Sequence, residues 1–417
     1  MSRMRVTVAS GLAGRKTSVS ASPEWVLQDV LARVPWDDAA ASCSCRRVFF
    51  GAAELAGHTT LGALGVTDGD RLTLVASPLP PVVTLAMAGE VKIWDATSGE
   101  CLHVLQGHRN GVYSATFSPD GLVLATASLD STAMLWSTKS GECLGTLQGH
   151  SRSVHSIVFS PDGQAVVTAS ADTTARIWSV TTRECLHTLR GHASAVASAV
   201  FSPDGLAIAT ASADKAARIW STSSTMCLHT LQGHRDSVSY LAFSRDSHLL
   251  ATASSDGAAK IWMVSSGQCL RTLCGHSCFV KSVVFSPDGQ AAVTASGDGT
   301  ARIWSTSSGK CLRTLWEDTS CTMTSAQFSP DGRAVVTTSS RGIARIWAAD
   351  SGKCMHKLIV SAQGVDSAML SPDGQTMITS SRDGQARVWS AGTERCCRTL
   401  GASAKSSVTI ASFAPAW

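Results

Sequence analysis

Short runs in which apolar and polar residues alternate fill most of this chain, and they return at a fixed interval. One interval holds four of them: a run ending in "FSPDG", one like "AVVTAS", one like "ARIW" and one like "CLHTL". Alternation of this length reads as a β-strand with one face covered. The Asp-Gly of "FSPDG" and the Ser-Gly of "TSSGKC" supply turns between the runs. The tryptophan closing the third run marks the interval. Trp94, Trp136, Trp178, Trp220, Trp262, Trp304, Trp347 and Trp389 lie 42 residues apart, with one step of 43 after Trp304. A repeat of this length made only of strands predicts a propeller with four strands per unit.

The first 77 residues follow another pattern. "MRVTVAS" and "KTSVS" read as a hairpin. "SPEWVLQDVLARV" reads as a helix, with Ser22 as N-cap, Pro23 in the first turn, and Val26, Leu27, Val30, Leu31 and Val34 at helical spacing. "RRVFF" and "DRLTLV" add two strands, and the order is that of a small α+β β-grasp domain. The expected organisation is therefore 1–77, a Pro-rich linker at 78–81, and the repeats over 82–417.

Counting strands sets the architecture. Seven complete units run from about 106 to 400, while 82–105 supplies only the last three strands of a unit. A matching first strand stands at the other end, in "SSVTIASFAP" (406–415). The expectation is an all-β eight-bladed propeller closed by this split blade, because closure removes exposed strand edges. Seven blades with 82–105 left outside is the alternative.

These repeats strongly resemble the WD-repeat family, whose unit opens with Gly-His and closes near Trp-Asp. Gly-His precedes the inner runs at His108, His150, His192, His234 and His276. The resemblance implies a buried tetrad of His, Ser or Thr, Asp and Trp in each blade. One matched set is His192, Ser212, Asp214 and Trp220; another is His276, Ser296, Asp298 and Trp304. A buried carboxylate is tolerable only when donors satisfy it, and an imidazole and a hydroxyl do so. The same trio would suit a hydrolase triad, but its recurrence with tryptophan always closing it favours structure over catalysis. The motif decays late in the chain: Asp318 and Arg341 replace His and Asp in the Trp347 unit, where they would form a substitute ion pair. Ser361 replaces His in the Trp389 unit, and Ala88 replaces Asp in the split unit.

From Arg47 to Val75 the amino-terminal segment resembles a ubiquitin-like domain, by its apolar positions, Thr60-Leu61 and the Asp68-Gly69 turn. No Gly-Gly tail follows Val75, and the family's linkage-lysine positions hold Ala53 and Asp68, so the resemblance implies a permanently fused mimic. Its recognition patch would fall on Phe49 and Val75. Phe49 then either anchors a ubiquitin receptor or packs into its own domain or against the propeller.

The propeller resemblance implies a partner-binding face at positions flanking the first valine of each inner strand and preceding the tetrad Asp. Most hold Ala, Ser or Gly. Tyr113, His155, Phe279, Lys281, Arg341, Asp366 and Arg382 stand out as aromatic or charged, the types that anchor interfaces; the alternative is scattered surface residues.

Composition adds limits. A net charge of +4 with mixed signs offers no basic stripe for nucleic acid. No apolar run approaches the ~18 residues that span a bilayer, and no leader is seen, which predicts a soluble cytoplasmic or nuclear protein. Eight of the fourteen cysteines occupy one repeat position, Cys101 to Cys396, and read as small packed hydrophobes. Lys or Arg two before most tryptophans reads as solvated or stacked. "SSGKC" lacks the upstream glycine of a phosphate loop, and the zinc-like group Cys274, His276, Cys278 and Cys321 competes with a tetrad for its histidine. No cofactor is called for. The combined expectation is a non-catalytic scaffold whose propeller holds protein partners while the ubiquitin-like domain docks on ubiquitin receptors, proteasome or ligase components. A ligase substrate receptor, or an assembly platform with no ubiquitin link, are the alternatives.

Overall fold

The computed structural model describes residues 4–10, 16–22, 25, 45–50, 53–54, 61, 65–77, 79–86, 89–316, 321–392, 394–401 and 408–414. The repeats fold as an all-β array of antiparallel four-stranded sheets, seven of them each drawn from one continuous stretch of chain. In the third, Val196–Phe201, Ala207–Ser212, Ala217–Ser221 and Cys227–Leu231 pair in order, inner to outer. The register sets Ile208 opposite Trp220 and Thr210 opposite Arg218. A bulge after Val196 and another at Ile219/Trp220 twist the sheet.

Burial follows position in the sheet. Second strands such as Ala207–Ser212 are buried along their whole length, because a neighbouring sheet covers each face. Their alanines and threonines let the sheets approach closely. Outer strands are solvent-facing except for a final leucine, such as Leu189 and Leu231. This overturns the packed-cysteine expectation. Cys101, Cys143, Cys185, Cys269, Cys311 and Cys396 are exposed, while Cys227 and Cys354 are half-buried against the edge of an apolar cluster, since no further strand covers the outer one. Seven of these thiols donate to the carbonyl two residues on, as Cys185 does to His187 at 3.5 Å.

A further sheet joins distant parts of the chain. Strands β6 (Val82–Ala86), β7 (Val91–Trp94) and β8 (Cys101–Leu105) pair in order, and Val408–Phe413 pairs antiparallel with β6, Phe413 opposite Val82. The apolar core is divided among clusters that each span two sheets. Val167, Ile177 and Leu189 of the second sheet meet Val196, Ile208 and Trp220 of the third. Ile378, Val388 and Leu400 of the seventh meet Val82, Trp94 and Phe413, and Leu85 and Ile93 meet Val112 and Trp136 of the first. Outer-strand side chains also latch onto the next sheet's turn. His229 Nε2 lies 3.1 Å from Ser265 O, Arg313 Nε donates to Asp350 O at 2.9 Å, and Arg398 Nε donates to Thr97 O at 3.3 Å.

Ahead of the repeats, β1 (Met4–Ser10), β2 (Lys16–Ala21), β3 (Cys45–Phe50), β4 (Ala53–Glu54) and β5 (Arg71–Ser77) form one sheet in the order β2-β1-β5-β3-β4. β1 and β5 run parallel and the other pairs antiparallel. Val6, Leu61 and Leu72 are fully buried. The expected helix, Asp318 and Ala88 lie outside the described residues, as do the side chains of Phe49 and Val75.

Candidate functional site

The tetrads assemble, with one member corrected. In the third sheet the Trp220 indole N–H donates to Thr210 Oγ1 at 2.9 Å, Thr210 Oγ1 lies 2.7 Å from His192 Nε2, and His192 Nδ1 lies 2.8 Å from Asp214 Oδ2. The hydroxyl is therefore Thr210, not Ser212, which donates to Ser194 O and accepts from Asp214 N–H. In the fifth sheet Thr294 takes the place expected of Ser296, between Trp304 and His276, with Asp298 at 2.9 Å from His276. An ionised aspartate only accepts, so Nδ1 carries the imidazole proton, and Nε2 accepts the threonine O–H. Each tetrad is a one-way line in which Trp donates to Thr, Thr to His and His to Asp.

Burial holds His108, His150, His192, His234 and His276 below the usual imidazole range against the opposing pull of their aspartates. Burial would raise the aspartates, but hydrogen bonds outweigh it, taking Asp172 and Asp298 down to about 2. Arg176, Arg218, Arg302 and Arg345 lie over the tryptophan two residues on, 5.7–6.0 Å from ring centres, so the basic ring is stacked. Gly191 sits at φ 143°, a backbone conformation that other residues rarely adopt, which explains the glycine before His192.

The Trp–Thr half of the line survives where the His–Asp half does not. Trp94 donates to Thr84 at 2.8 Å, Trp347 to Thr337 at 2.8 Å and Trp389 to Thr379 at 2.9 Å. In the seventh sheet Asp383 is held instead by Arg387 at 2.7 Å. Thr210 is fully buried, so this hydroxyl meets no substrate. Both ring nitrogens of His276 are engaged, and among the described residues no group of His, Cys, Asp or Glu is arranged to hold a metal.

The unabsorbed chemistry lies at the tetrad end of the strands. Tyr113, His155, Lys281 and Asp366 each follow the residue that opens an inner strand, so they share one repeat position. The Tyr113 and His155 rings meet edge-on at 5.9 Å and 85°, and His155 Nδ1 lies 3.2 Å from Val196 O. Asp366 pairs with Arg382 Nε at 3.0 Å. Crowding strips water from the Lys281 ammonium and holds it below the usual lysine range, with Asp366 opposing and Arg382 adding to the shift. Phe279 is exposed and lies over Gly297, where a Cβ would come within 2.6 Å of its ring. Arg341 is exposed at the position matching Asp383, one residue after the position that holds Arg382.

Sequence reasoning missed Tyr240, third in its inner strand, where the other repeats place Ser114, Ser156, Ser198, Ser282, Ser325 and Ser367. Loss of hydration pushes its phenol up. The chain has two tyrosines, and both stand at inner-strand starts, which was the available signal.

The family model described as WD domain, G-beta repeat (WD40) matches residues 99–137, 141–179, 183–221, 225–263, 267–305, 309–348 and 352–390. The WD repeat-containing protein pop1 of Schizosaccharomyces pombe (strain 972 / ATCC 24843) is 40% identical over 55 residues, an alignment covering 13% of this chain and 7% of that protein.

Proposed function

The chain belongs to the WD40 repeat family, and on that premise we propose that it is a non-catalytic scaffold holding protein partners on the tetrad end of its sheets. The observation that carries this is a contrast within the chain. The Trp–Thr pair recurs in every repeat sheet and the full tetrad in five of them, whereas the position after each inner-strand opening residue reads Tyr113, His155, Ala197, Ser239, Lys281, Thr324 and Asp366. Thr324 is buried and donates to Val365 O, but the other six side chains at this position are at least partly exposed, so their chemistry is left for a partner. Aromatic, basic and acidic groups on a rigid rim give anchors at little entropic cost.

The array reads best as an eight-bladed propeller closed by a split blade. Support comes from the pairing of Val408–Phe413 with β6, from the apolar clusters on both sides of that sheet, and from the Arg398 to Thr97 latch. Closure leaves outer strands as the only edges. The amino-terminal sheet reads as a ubiquitin-like domain on the support of its strand order and parallel β1/β5 pair. Phe49 and Val75 lie on adjacent strands, opposite Thr73 and Arg47. On this reading the domain docks on ubiquitin-pathway machinery in the cytoplasm or nucleus.

Affinity capture with the full chain tests both parts. A Tyr113→Ala, Lys281→Glu, Arg382→Glu variant should lose the propeller's partners while melting like the parent. Phe49→Asp should lose proteasome or ubiquitin-receptor subunits alone. A partner set unchanged by the first variant refutes the rim assignment; one unchanged by the second removes the ubiquitin link.

A further inference from the structure

The turns between first and second strands, and between third and outer strands, lie at the strand ends opposite the tetrads. There, between the third and fourth repeat sheets, sits a cavity of about 320 Å³ whose lining includes Asp204, Leu206, Leu228, His229, Ser247 and Val264. That volume is at the small end of the ~300–1,000 Å³ typical of ligand pockets.

This junction departs from the repeat in ways that furnish the cavity. Leu206 is 70% exposed, and Met226, where other repeats hold Glu, Gln, Lys or Arg, is 67% exposed beside Leu228, the leucine common to most repeats, at 50%. Positions matching Leu206 hold Gln164, Gln290, Arg333 and Gln375 in other repeats, although the first has Leu122. The turn position that is glycine in the other six continuous repeats is Ser247 here, at φ 62°. A serine in the left-handed region is unusual, and it sets a hydroxyl in the wall, where Ser247 Oγ accepts the Asp204 N–H at 3.0 Å. Burial would raise Asp204, but hydrogen bonds from Ser202, the Leu206 amide and Ser247 outweigh it and keep the carboxylate ionised. It is the one permanently charged group in the lining.

We propose that this cavity docks a protein partner, which inserts one leucine- or methionine-sized side chain and sets an adjacent lysine or arginine against Asp204. The apolar rim favours a protein over a small metabolite, because Leu206, Leu228 and Met226 are each half or more exposed and Met226 lies outside the cavity lining, where a ligand filling the cavity does not reach it. The lone carboxylate fixes the sign of the partner's charge. The site stands apart from the tetrad-end rim and does not depend on it.

Random heptapeptides displayed on phage, selected on the full chain and counter-selected on its Leu206→Glu, Leu228→Glu variant, provide the probe. Enriched peptides should carry Leu or Met beside Lys or Arg. Their affinity, by fluorescence anisotropy, should fall about tenfold or more in Leu206→Lys and in Asp204→Asn, and hold within about twofold in Leu122→Glu and Tyr113→Ala. Leu206→Lys alters only an exposed side chain, so it keeps the test decisive should Asp204→Asn disturb its turn. No enrichment, enrichment without a basic residue, or an equal loss in Leu122→Glu would overturn the proposal.

Discussion

Replacing Thr210 by valine keeps the branched shape of the side chain and deletes one hydroxyl. That buried oxygen serves Trp220 Nε1 at 2.9 Å and His192 Nε2 at 2.7 Å. A buried polar group left without its partner costs roughly 1–3 kcal/mol, and a neutral one at the lower end of that range, about 1–2, so two stranded neutral groups put the loss at about 2–4 kcal/mol. The same change at Thr379 strands Trp389 Nε1, and the histidine position there holds Ser361, so the loss is about 1–2 kcal/mol. With ~2.1 cal/mol/K of unfolding entropy per residue, ~340 residues of repeats give about 0.7 kcal/mol/K. Scanning calorimetry should then show Tm lowered by roughly 3–6 °C for Thr210→Val and about 2 °C for Thr379→Val. Nitrogen-15 NMR of the Trp220 indole adds a local readout: its resonance should move in Thr210→Val and stay in place in Ser212→Ala, whose hydroxyl serves Ser194 O and Asp214 N. Equal Tm losses at the two threonines would refute the added contribution of the His–Asp half. A Thr210→Val protein that melts like the parent would refute the hydrogen-bond line itself.

Acid should destabilise the protein in two stages. The five tetrad histidines titrate lower when folded, so the unfolded chain binds more protons below ~6.5 and stability falls as pH drops from there. Their aspartates are also depressed when folded, Asp172 and Asp298 to about 2, and their contribution is lost as pH falls through the carboxylate range; a Tm that is flat or rising from pH 7 to 4 would contradict both. N-ethylmaleimide on the native protein should label Cys143, Cys185, Cys269 and Cys311 and spare buried Cys321, a pattern that peptide mass spectrometry reads directly. Ending the chain at residue 407 removes the strand that pairs with β6 and bares its edge, so Tm should fall and size-exclusion chromatography should show self-association; a monomer of unchanged Tm would argue against a closed ring.

The repeat period, the strand spans and the Gly-His, Asp and Trp positions were legible because each repeat sheet is made from neighbouring hairpins. Its pairings are local, and local pairing leaves a local pattern. The tetrad hydroxyl was not legible. Thr210 and Ser212 are two residues apart on one strand, so alternation puts both on the same face. Only the register, with Trp220 opposite Ile208, places the indole within reach of Thr210. Alternation likewise assigned the cysteines to a face without saying how far it is covered, and at the start of the outer strands six of the eight are exposed. The missing first strand of 82–105 could be counted from sequence, but its pairing with Val408–Phe413 joins residues over three hundred positions apart. Contacts of that span depend on how far every intervening sheet rotates the chain, a sum that only the tertiary structure evaluates.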